Sequence, residues 1–164
     1  MVADIYKPDL WTDFFLLVGT GAVTLTGLVF VALSLNLKTI AIDATHRFRA
    51  IGTLTGFAAV FLRSALALMG GQNYKWVGAE LLAVASVAGF VYVYGYVRAN
   101  RSGSGASLIR TTTGTSLYII EMVGATLLIL GHSAGIYIAA TALVINTCYM
   151  ITGAWLLVLG AHQK

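Results

Sequence analysis

Five long apolar runs, separated by short polar stretches, constrain this chain more than any other feature. They cover about 14–37, 51–70, 76–97, 113–131 and 136–160. Each is close to the ~20 residues a helix needs to cross a bilayer. A helix satisfies its own backbone hydrogen bonds, which lipid cannot do for it. Composition points the same way: 59% of residues are hydrophobic and 10% are charged. A soluble domain needs roughly 25% charged residues to cover its surface. The expected architecture is therefore all-α, an integral membrane bundle of about five transmembrane helices forming one domain over residues 1–164. No internal repeat is visible.

The connecting stretches set an expected direction. Lys38, Arg47 and Arg49 follow the first run, and Arg98, Arg101 and Arg110 follow the third. Only Lys75 follows the second, and no Lys or Arg follows the fourth. Basic loops stay in the cytoplasm, so the N-terminus is expected outside and the C-terminus inside. The second run is the least secure, because Arg63 interrupts it. Removing it would put the two basic loops on opposite sides, so parity favours five spans. Topology accounts for the net charge of +4 without nucleic acid. The start of the chain carries Asp4, Asp9 and Asp13 against Lys7. It does not read as a cleaved signal peptide, which begins with positive charge. The stretch from Ser102 to Ser107 reads as a flexible linker.

Arg63 is also the residue most in need of a partner. A charge near the bilayer centre costs ~2.5–3.5 kcal/mol on the mildest scale. Depth counting at ~1.5 Å per residue places Arg63 ~3 Å outside the midplane and Glu121 ~2 Å inside it. Asn146 falls near the depth of Arg63, and Glu80 ~10 Å toward the outside. The expectation is a buried polar cluster of Arg63 and Glu121, with Glu80 or Asn146 adding hydrogen bonds. Such a cluster can be a neutralised pair that fixes helix register. It can also belong to an ion or proton pathway, or bind a partner.

Small residues offer the second pattern. Thr20, Thr24, Gly27 and Ser34 recur along the first run, a stripe that can line a pore or receive another helix. Gly52 and Gly56 form a close-packing pair in the second run, and Ala79, Ala83 and Ala88 a small face in the third. Residues 131–135 read Gly-His-Ser-Ala-Gly, the pattern of a hydrolase nucleophile elbow. That elbow needs a strand before it, and this one lies between two apolar helices, so a turn is expected. His46, His132 and His162 fall on different sides of the membrane, and no carboxylate-x-x-His pair occurs within a run. Neither a metal nor a haem is expected, and no cofactor. A single cysteine, Cys148, allows no internal disulfide.

The segment FFLLVGTGAVTLTGLVFVALSLNL, followed by DATHRFRAIGTLTGF, resembles an uncharacterised family of small multi-pass membrane proteins common in actinobacteria. Some members carry the label modulator of FtsH protease. The resemblance implies a bacterial plasma (inner) membrane and a protein partner, and assigns no residue a role. Two functions are in keeping with the residues. The first is a non-enzymatic membrane protein acting by assembly, as a homo-oligomer or an accessory subunit of a larger complex. The alternative is an oligomeric ion channel or small-solute transporter using the Arg63 cluster. Expected partners are the lipid bilayer and either a second copy or other membrane subunits.

Overall fold

The structure is a computed structural model that describes residues 6–35, 44–101 and 108–162. It contains five helices: α1 Pro8–Leu35, α2 Ala44–Ala67, α3 Tyr74–Arg101, α4 Leu108–Ile129 and α5 Ala134–His162. All five are long and apolar enough to cross a membrane, and no strand occurs among the described residues. Lys38, the 102–107 linker and Lys164 lie outside the described residues.

The helix ends follow local chemistry, and several differ from the apolar runs. α1 starts at Pro8, six residues before its apolar run, because proline suits the first turn, where no backbone N–H is needed. Asp9 follows it at the positive end of the helix dipole. α2 starts seven residues before its run and ends three residues earlier. The turn that follows uses Gly71 at φ +77°. Asn73 then caps α3, its Oδ1 accepting from the Lys75 and Trp76 amides at 3.0 and 3.1 Å. α4 stops in a Schellman turn: the His132 amide donates to Leu127 O and the Gly131 amide to Leu128 O, both at 2.9 Å. Gly131 takes φ +88°, which an L side chain resists. The Gly-His-Ser-Ala-Gly sequence is thus a tight helix-to-helix turn, with Ser133 exposed.

Each helix packs on the next in the chain, and α5 closes back on α2 and α1. α2 touches α1, α3 and α5 and has 50% of its apolar window buried, against 22% for α1. α2 is the centre of the bundle and α1 its most peripheral span. The starts of α2 and α4 share one end with the last turns of α3 and α5, as the Gly153–Thr53 and Tyr92–Arg110 approaches show. The opposite end gathers the starts of α1, α3 and α5, as the Trp11–Tyr137 ring contact at 4.9 Å shows. There the Tyr6 hydroxyl donates to Ala67 O at 3.2 Å, and burial pushes its phenol above the usual value.

The tightest seam lies between α4 and α5. A Cβ on Gly124 would stand 2.6 Å from the Ala139 amide nitrogen, and one on Gly135 would collide with the Leu128 backbone. These glycines let two backbones touch, the usual route to helix association in lipid. On α4 the buried residues Gly114, Leu117, Tyr118, Glu121, Gly124, Ala125 and Leu128 recur at three- and four-residue steps, one stripe facing the bundle. The outer surface is apolar instead: Leu17, Leu28, Phe90 and Ile109 are all exposed, as a lipid-facing surface requires.

Candidate functional site

The bundle holds two polar features, one in its interior and one at an end. In the interior, Arg63 on α2 forms an ion pair with Glu121 on α4, Nη1 to Oε1. Both side chains are fully buried. Helical side chains lean toward the N-terminus of their own helix. Arg63 does so: its Nε donates to Ala59 O at 2.9 Å, one turn back along α2. This lean matters because α2 ends at Ala67, so the Cα of Arg63 lies about 10 Å past the midpoint of the His46–Ala67 span. Glu121 lies about 4 Å past the midpoint of Leu108–Ile129, on the same side. The pair is therefore off centre, toward the end that carries the two tight turns. The depth counting from apolar runs put the two on either side of the midplane, because it began and ended both α2 and α4 too late.

Asn146 on α5 and Ser64 on α2 are buried in the same interior. The Ser64 hydroxyl, Arg63 Nη2 and Glu121 Oε2 have no hydrogen-bond partner there. The Tyr118 phenol interacts electrostatically with Arg63, Glu121 and Asn146, so it belongs to the same group. Glu80 does not. Its two carboxylate oxygens each accept from Gln72 Nε2 at 3.0 Å, near the start of α3. Gln72 sits in the turn just before that helix and takes up the carboxylate locally.

The small-residue stripe of α1 lies outside the bundle. Thr20, Thr24, Gly27 and Ser34 are exposed, whereas Phe15, Gly19, Ala22, Val29 and Leu33 form the buried face. Thr24 and Ser34 donate to their own backbone at Thr20 O and Phe30 O, 3.0 and 2.9 Å away. Gly56 packs against Met150 of α5, which would meet an added Cβ at 2.6 Å. A Cβ added at Gly52 would meet nothing within 4 Å. Ala88 is buried in α3, while Ala79 and Ala83 face outward.

The second polar feature carries residues that spacing alone did not single out. At the end where α2 and α4 begin, a cavity of about 380 Å³ opens among α2, α3, α4 and α5. Arg49, Arg110, Tyr92 and Tyr149 are in its wall, and Gly52 and Met150 line it too. The Tyr149 hydroxyl donates to Arg110 O at 2.5 Å, and the Tyr92 hydroxyl, 3.1 Å from the same carbonyl and 2.9 Å from the Tyr149 hydroxyl, donates its single proton to one of these two oxygens. The Arg110 guanidinium lies over the Tyr149 ring, 4.8 Å from its centroid. Tyr92 also contacts the Tyr118 ring at 5.9 Å, which links the cavity wall to the interior group. A sequence signal existed for Tyr118, one turn before Glu121 on the same face. Tyr149 is one turn after Asn146. Arg110 read only as a topology charge.

No family model, curated protein or solved structure matches the chain. Among the described residues no group of three His, Cys, Asp or Glu side chains could hold a metal ion.

Proposed function

We propose that this is a non-enzymatic multi-pass membrane protein that acts by assembly, as a homo-oligomer or as a subunit of a larger membrane complex. The outward face of α1 carries this reading. α1 is the least covered span, and its small-residue stripe points away from its own chain. A Cβ on Gly27 would meet nothing within 4 Å, so a second helix could approach the backbone closely. The Thr24 and Ser34 hydroxyls already bond their own helix, so they do not need pore water. The resemblance to small actinobacterial membrane proteins implies the bacterial plasma membrane and a protein partner, in keeping with assembly. The basic end of the bundle, with Arg47, Arg49, Arg98, Arg101 and Arg110, supports a cytoplasmic C-terminus.

Cysteine cross-linking in native membranes tests this. In a Cys148→Ser background, single cysteines at Thr20, Thr24 and Gly27 should give dimers or a discrete larger adduct. Cysteine at buried Ala22 should not. A protein that stays monomeric in mild detergent and gives no adduct along the stripe would overturn the proposal.

The alternative of an ion channel or transporter has one observation in its favour: Arg63 Nη2 and Glu121 Oε2 are buried without partners. Buried polar groups of that kind draw water or an ion. Purified protein in liposomes should then conduct, and Glu121→Gln should abolish the flux.

A further inference from the structure

We infer that the cavity at the basic end of the bundle holds one anionic phospholipid, with its phosphate on Arg110 and Arg49 and the start of its acyl chains against Gly52 and Met150. The chemistry of the wall is the first argument. Two guanidinium groups, those of Arg49 and Arg110, line the cavity together with the hydroxyls of Thr53 and Thr111. Arginine suits phosphate because its planar fork matches phosphate geometry.

The second argument is how Arg110 is held. A charge that merely obeyed topology would extend to water. Arg110 instead lies across α5, where a Cβ on Gly153 would be 2.5 Å from its Nη2. The Tyr149 ring lies beneath it, and its own carbonyl is within hydrogen-bond distance of two tyrosine hydroxyls. Thr53 of α2 borders the same spot, 3.6 Å from that Cβ position. Residues of α3 and α5 thus hold Arg110 on the wall of a cavity.

Depth and size complete the case. The cavity lies at the end of the bundle that carries Arg47, Arg98 and Arg101, the level where lipid headgroups meet basic residues. Its 380 Å³ falls in the range of ~300–1,000 Å³ typical of ligand pockets. Ile51 and Tyr94, on its rim, are about half exposed on the lipid-facing surface, so chains could continue into the bilayer. The inference is independent of whether α1 mediates assembly.

Native mass spectrometry of the detergent-purified full chain tests it, titrating phosphatidylglycerol against phosphatidylcholine. One phosphatidylglycerol should be retained per chain in preference to phosphatidylcholine, and 10 mM inorganic phosphate should not displace it. Arg110→Gln should weaken binding roughly fivefold, the worth of one basic contact at a membrane surface. Arg101→Gln, on an exposed arginine outside the cavity, should leave binding unchanged. Gly52→Leu should block the single site by filling it. Circular dichroism should stay helical, since an added Cβ there meets nothing within 4 Å. A photoreactive phosphatidylglycerol should label the unmodified protein near Tyr149 and Met150. The proposal fails if the two lipids bind equally, or if Arg101→Gln weakens binding as much as Arg110→Gln. It also fails if Gly52→Leu still binds, if the label maps to α1, or if inorganic phosphate displaces the lipid. That last result would assign the cavity to a soluble phosphate.

Discussion

Arg63 and Arg110 are two arginines drawn into one bundle, and their surroundings differ at every level. Arg63 is sealed. Its head is fully buried, its Nε is spent on Ala59 O and its charge on Glu121. Arg110 is half-buried and lies over Tyr149 on the wall of an open cavity. The first charge is neutralised within the chain by a carboxylate from another helix. The second lies over one aromatic ring and faces space that a ligand can enter. A buried charge pair is thus weak evidence for a site, whereas a cation held at a cavity is stronger evidence.

The largest way to break that contrast is to remove one member of the sealed pair. Glu121→Ala leaves an uncompensated guanidinium in the interior and should cost roughly 3–5 kcal/mol in unfolding by denaturant in detergent. Arg63→Ala should cost a similar amount. The double variant should cost clearly less than the sum, because the charge that each single variant strands is then gone. Strictly additive losses would mean that the two side chains do not act as a pair.

Glycines sharpen the contrast at the next level. Gly135→Ala pushes a methyl group into the Leu128 backbone, which cannot rotate away. Overpacking of this kind costs roughly 1–3 kcal/mol. Gly153→Ala meets the tip of the Arg110 side chain, which can swing aside, so its cost in stability should be smaller. What Gly153→Ala should lose is the seat of Arg110, read as weaker phosphatidylglycerol binding. Equal melting losses for the two variants would show that Arg110 is as rigidly built in as the α4–α5 seam.

The sequence disclosed the parts of this structure that depend on composition. Five spans follow from apolar length, and even the span broken by Arg63 forms, because Glu121 supplies the countercharge that parity alone could not name. Helix ends were less legible: Pro8, Asn73 and Gly131 set them by local backbone chemistry, the first two outside the apolar runs. The depth of Arg63 shifted with those ends. Faces were the hardest to read. Thr20, Thr24, Gly27 and Ser34 form a regular stripe in sequence, but Phe15, Gly19, Ala22, Val29 and Leu33 form one too, and only packing decides which turns inward. The glycines that matter most, Gly124 and Gly135, are separated by a turn and meet only when α4 and α5 fold together. Arg110 looked like every other loop arginine until Tyr92, Tyr149 and Gly153 from two other helices surrounded it.

The smallest expected effect falls on Arg110 itself. Arg110→Gln removes a cation–π contact of roughly 0.5–1 kcal/mol at a partly exposed position. It leaves the Tyr92 and Tyr149 hydroxyl contacts intact, because they are to the backbone carbonyl of residue 110. The melting temperature without added lipid should therefore move by only a few degrees. Adding phosphatidylglycerol should widen the gap, since a ligand that binds the folded state alone stabilises it in proportion to the logarithm of its occupancy. Glu121→Ala should behave in the opposite way, with a large loss that added lipid does little to change. If Arg110→Gln instead destabilised the lipid-free protein as much as Glu121→Ala, Arg110 would be a second sealed charge. The cavity beside it would then be a packing defect.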